Sequence, residues 1–92
     1  MNDAILTAIA TEIKAEMQLA PSTSDEVLKQ YTKEGEAFLN SRLSGLEIDF
    51  NADLVARALL KNYVRYAYYG MVSDFKEKYN GDIYDTISEY IS

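Results

Sequence analysis

Cysteine and histidine are both missing from this chain, and tryptophan with them. Without cysteine there is no disulfide framework and no thiolate metal site, a composition that fits a reducing compartment. Without histidine the usual general base near neutral pH is gone, along with the commonest metal ligand and every Ser-His-Asp or Cys-His arrangement. An enzyme made from these residues would depend on carboxylates, lysine, tyrosine or serine alone. Long apolar runs are absent too, since nothing approaches the roughly 20 residues of a membrane span. The first residues, up to Met17, lack a basic n-region and a cleavage site, and their apolar positions are periodic. The expected product is a soluble intracellular protein, not an enzyme, with no cofactor, no metal and no membrane partner.

Positive charge is scarce. Nine Lys and Arg against fifteen Asp and Glu leave a net charge of -6, the wrong sign for a nonspecific nucleic-acid binder, which needs cations to displace counterions from phosphates. The 92 residues make a single domain, residues 1–92. A chain of this size buries only about 60 to 65 percent of its unfolded surface, so subunit contacts would help its stability.

What is present is helical periodicity. Ile5, Leu6, Ile9, Ala10, Ile13 and Met17 fall on one arc of a first helix that Asp3 can cap. The only proline, Pro21, sits in a Ser/Thr-rich loop from Gln18 to Ser24. Thr23 and Glu26 have capping-box spacing for a second helix, on which Val27, Leu28, Tyr31, Gly35, Phe38 and Leu39 share a face. Leu43 ends that run ahead of Gly45, and Gly35 opens its middle to close approach by another helix. Leu46, Ile48 and Phe50 then alternate with Glu47 and Asp49, the pattern of a short extended segment with one side buried.

Asn51 or Asp49 can cap a third helix whose stripe is Val55, Leu59, Tyr63, Tyr66 and Ala67, widened by Ala56 and Leu60. Past Gly70, the residues Met71, Val72, Phe75 and Tyr79 lie roughly 150 degrees from that stripe if the helix runs straight. Either the helix breaks at Gly70 or it continues and serves two neighbours. Asn80-Gly81 closes the element, and Asp82 opens a short last helix with Ile83, Ile87 and Ile91. The fold expected is all-α: a small bundle of about four helices, with one short extended segment between helices two and three.

Few residues suggest chemistry. Asp49, Asn51 and Asp53 look like the start of a calcium loop, but Leu54 stands where its turn glycine belongs and Leu60 where its bidentate acid belongs. They read as a polar run that caps a helix. Asp82, Asp85 and Glu89 share one helical face, which reads as a solvated acidic surface that repels DNA or meets a basic partner. Arg57, Lys61 and Arg65 recur every four residues, and on a continuous helix Tyr68, Val72, Phe75 and Tyr79 extend their line. Those seven residues form the expected subunit or partner interface, because Arg and aromatic side chains are enriched at interfaces. Acidic patches on a neighbouring copy would face the cations, and Phe75→Ala or Arg65→Glu would weaken self-association more than folding. Of eight tyrosines, seven follow residue 62; Tyr63 and Tyr66 suit a core rim, while Tyr68, Tyr69, Tyr79 and Tyr90 are hard to hide in one small core.

The run Leu59-Leu60-x-x-Tyr63-x-Arg65-Tyr66-x-Tyr68-Tyr69-Gly70, followed by Phe75, Tyr79 and Ile83, resembles the C-terminal half of the small head-to-tail connector proteins of tailed bacteriophages. The resemblance covers about a third of the chain. It implies a helical adaptor that assembles as a homo-oligomeric, dodecameric ring under the portal protein. The ring's other side would bind a downstream connector or tail protein, and DNA would pass through its lumen without specific binding. It also implies residence at the virion head-tail junction, and in the host cytoplasm during assembly. The competing expectation is a small acidic helical regulator or DNA mimic, against which the even spread of acids along the chain weighs.

Overall fold

Three helices begin where a short polar side chain takes up an orphan backbone N–H. In the computed structural model, which describes residues 1–91, Asn2 accepts from Ile5 N at the start of α1 (Asp3–Glu16), and Ser24 from Val27 N at the start of α2 (Asp25–Asn40). Asp53 does the same for Ala56 N at the start of α3 (Leu54–Tyr68). Two shorter helices follow, α4 (Val72–Lys78) and α5 (Asn80–Ile91). Each observed cap lies within a few residues of the expected one, since Asp3, Thr23, Asn51 and Asp49 compete for the same turns. Asp49 instead accepts from the N–H groups of Asn51 and Ala52, bending the chain ahead of Asp53.

The all-helical architecture is as expected, with five helices rather than about four, because α3 stops at Gly70. Gly70 has φ +70°; its N–H donates to Ala67 O and that of Met71 to Tyr66 O, the paired bonds of a left-handed helix stop. Gln18 makes the same stop after α1, at φ 54° and without the help of a glycine. Among the described residues no strand forms between α2 and α3. The segment is an irregular loop held by Ile48 and Phe50, both buried, with Leu46 exposed. Asn40 accepts from Ile48 N and pins the loop to the end of α2.

Packing is organised around α3. Leu59, Leu60, Tyr63, Val64 and Ala67 are buried, and α3 packs against each of the other four helices. Gly35 explains the closeness of α2: a Cβ there would stand 2.6 Å from Leu60 Cδ1 and 2.8 Å from Tyr63 Cδ1. Ion pairs give the directions. The Met1 ammonium, just ahead of α1, and Lys14, near its end, meet Glu36 and Asp25 of α2, so those helices are antiparallel. The Tyr90 hydroxyl donates to Asp53 at 2.7 Å, setting the end of α5 beside the start of α3, while Tyr79, just ahead of α5, meets Tyr66 near the end of α3, so that pair is antiparallel as well.

The break at Gly70 redirects the second apolar stripe. It turns α4 back onto the core, where Phe75 is completely buried, edge-on to Tyr63 with centroids 5.4 Å apart and stacked on Tyr79 at 5.1 Å. Val72 and Tyr79 pack partly buried against the same core, and only Met71 stays substantially exposed. The expectation that Phe75 faces a neighbouring copy is corrected here, because its ring is wholly internal. Val55 departs in the opposite sense. Placed on the core stripe of α3 by periodicity, it is 73% exposed, and Leu54 beside it is 70% exposed.

Candidate functional site

The cations of α3 project toward α1. Arg57 binds the Glu12 carboxylate through Nε and Nη2 and reaches Phe50 O through Nη1. Lys61 donates to Glu12 at 3.0 Å and to Glu16 at 2.7 Å, and Arg65 to Glu16 at 2.6 Å. Two carboxylates four residues apart on α1 thus interleave with three cations four residues apart on α3, which requires the two helices to run in the same direction. The hydrogen bond from Arg57 holds the Glu12 pKa below the ordinary carboxylate range against the opposing effect of burial. Burial works to lower the Lys61 pKa, but its bonds to Glu16 and Glu12 outweigh it and the net displacement is upward.

The seven residues grouped by sequence are therefore not brought into one surface. Arg57, Lys61 and Arg65 are engaged within the chain, and Phe75 is core. Tyr68 is half-buried and stands edge-on to exposed Tyr69, while Val72 and Tyr79 lie on α4 and just past its end. The line through them needed a continuous helix across Gly70. Missed altogether were Glu12 and Glu16, although their i, i+4 spacing matches that of Arg57, Lys61 and Arg65 and was a readable signal. Missed as well was the bond of Tyr90 to Asp53, for which the sequence offers no local cue. Asp53 is held below the ordinary range by the N–H of Ala56 and then by Tyr90, and burial with the Asp53 carboxylate pushes the Tyr90 phenol up to about 12.

The remaining cations are mostly occupied too. Lys14 and Lys29 pair with acids of the α1–α2 hairpin. Arg42 and Lys76 lie over the Phe38 ring at 4.9 and 4.7 Å, and Lys78 lies near Tyr79. Among the described residues Lys33 alone has neither a carboxylate nor a ring. The carboxylates of Asp82, Asp85 and Glu89, by contrast, form no ion pair among the described residues and stand exposed on α5.

Large apolar side chains that remain uncovered fall into separate places. Val27 lies at the start of α2, Leu46 in the loop after that helix, Leu54 and Val55 at the start of α3, Tyr69 and Met71 just past its end, and Tyr84 and Ile91 on α5. By helix rise the two α3 sites are about 22 Å apart. Between α3 and α5 runs an open groove of about 330 Å³, with Leu59 and Thr86 beneath and Val55, Ala58, Asp82 and Asp85 along its edges. Among the described residues no cluster of three or more acids forms a cage for a metal ion, and no helix is long and apolar enough to cross a membrane. Compared with known protein families, with curated proteins and with solved structures, the chain matches none of them.

Proposed function

We propose that this chain is a structural adaptor of the head-to-tail connector type. It forms a homo-oligomeric ring under a portal protein, extends the DNA channel, and joins a downstream connector or tail component. The observation that carries this reading is the distribution of uncovered apolar side chains over non-equivalent places on one small domain: the start of α2, the start of α3, the α3–α4 turn and α5. A closed ring of head-to-tail contacts needs two different complementary surfaces per subunit, and docking to a further protein needs a third. The aromatic-rich run through Tyr63, Arg65 and Tyr66 supports the same reading by its resemblance to that family. Surface acids suit a channel through which DNA slides without adhering.

Particle mass tests it. Light scattering with electron microscopy, on the purified protein across a concentration series and with a portal assembly added, is expected to show rings or a stable adaptor–portal complex. A particle that keeps the mass of one chain at high concentration and does not join a portal would remove the proposal. The regulator or DNA-mimic alternative predicts that second result.

A further inference from the structure

From the groove between α3 and α5 we infer a docking site for a basic amphipathic helix presented by a different protein, rather than for a second copy of this chain. The inference rests on the adaptor reading and names the chemistry of one of its partners.

The groove has a mainly apolar wall on α3, with Asn62 at one end, and an acidic wall on α5 that begins beside Tyr79. On α3, Val55 and Ala58 share a helical face at i, i+3, and both are exposed. Nothing in the fold requires a large branched side chain at so open a position. Across from them, Asp82 and Asp85 line the groove, and Glu89 continues their row along α5 at i+4 from Asp85. No Lys or Arg lines it, because the cations of α3 are turned to the opposite side and tied to Glu12 and Glu16. The occupant that satisfies both walls is a helix with an apolar stripe for Val55, Ala58 and Leu59, flanked by Lys or Arg at helical spacing for Asp82, Asp85 and Glu89.

The same charges decide whose helix it is. Five of this chain's nine cations are held in ion pairs and three lie over aromatic rings. Of those over rings, Lys76 and Lys78 are interspersed with Asp74 and Glu77 on α4. A second copy therefore has no basic stripe to offer, and acid would meet acid. The groove is also open along its length, unlike the clefts that bury most of a small molecule's surface.

The test uses the full chain, isotopically labelled, and a synthetic helical peptide of leucine and lysine with an apolar stripe. Peptides of scrambled order and with lysine replaced by glutamate serve as controls. The expected result is saturable binding of the patterned peptide only, with amide shifts concentrated at Val55, Ala58, Asp82 and Asp85. The double variant Asp82→Asn with Asp85→Asn should weaken it about tenfold, and Val55→Asp, at an exposed position compatible with folding, should abolish it. Glu34→Gln with Glu47→Gln, exposed acids away from the groove, should leave it unchanged. Absence of binding at millimolar peptide, equal binding of the scrambled peptide, or shifts centred elsewhere would overturn the inference. So would a Val55→Asp variant whose particle mass falls, since the groove would then hold another copy. That outcome leaves the adaptor reading standing, whereas a wild-type protein that neither forms rings nor joins a portal removes the adaptor reading whatever the peptide does.

Discussion

An added Cβ would stand in open space at Gly45, Gly70 and Gly81, but at Gly35 it would meet other side chains. A methyl group there would press on Leu60, which is fully buried, and on the Tyr63 ring, which is stacked on Phe38 and set edge-on to Phe75. Both neighbours are enclosed by packing, so relief would require them to shift. Overpacking of this kind costs about 1 to 3 kcal/mol, against about 1 kcal/mol regained from the better helix propensity of alanine. Gly35→Ala is thus expected to lower stability by roughly 1 kcal/mol, seen as a lower denaturant midpoint with unchanged slope; a raised midpoint would contradict the close approach. The role of Gly35 was legible because a glycine in the middle of an apolar helical stripe has few other uses. Val55 was not legible, because periodicity assigns a face but cannot say whether a neighbour covers its first turn.

At the scale of elements, α4 shows how a helix stop reassigns side chains. The pattern of α1, α2 and α3 was readable because each stripe is uninterrupted and each start has a polar cap nearby. The break at Gly70 was also readable as one of two options, but the sequence does not state where α4 goes after it. That depends on the left-handed turn and on the space between Tyr63 and Tyr66, which are set by tertiary packing. Phe75→Ala therefore removes a fully buried ring, with an expected loss of about 3 to 5 kcal/mol. Thermal and denaturant unfolding of the monomer would report it. A variant that kept its stability and lost only self-association would restore the earlier interface placement of Phe75. The cation row of α3 teaches a related lesson: its regular spacing was evident, whereas its partners, some 45 residues away on α1, depend on which helix packs alongside.

As a whole the molecule is a slab, with extents of 42 × 28 × 17 Å, so its thinnest dimension is less than two helix diameters. Its accessible area of 5447 Å² matches the roughly 5,400 Å² of an ordinary folded monomer of this mass. The total surface is therefore not in surplus, and the case for partners lies in where the apolar part of it sits. Titration should follow from the charge pairing. The lowered pKa values of Glu12 and Asp53 mean stability that is present above the ordinary 4.5 and 3.8 and is lost as pH falls through the lowered values. The raised Tyr90 contributes fully below 10.0 and loses its contribution as pH rises through about 12. Melting temperature is expected to be flat from about pH 5 to about pH 9 and to fall on either side. Circular dichroism melts would show a shallower acid fall in Glu12→Gln and a shallower alkaline fall in Tyr90→Phe. Unaltered slopes in both variants would mean that these bonds do not govern the pH response.

The bond from Tyr90 to Asp53 has a consequence for recognition. It ties the far end of the last helix to the first turn of the central one, so the cleft between them keeps a set width before anything arrives. A visitor would meet preorganised walls and would not have to order them, which lowers the entropic cost of association. Selection would then act on fit, admitting a slender helix and refusing a bulky one.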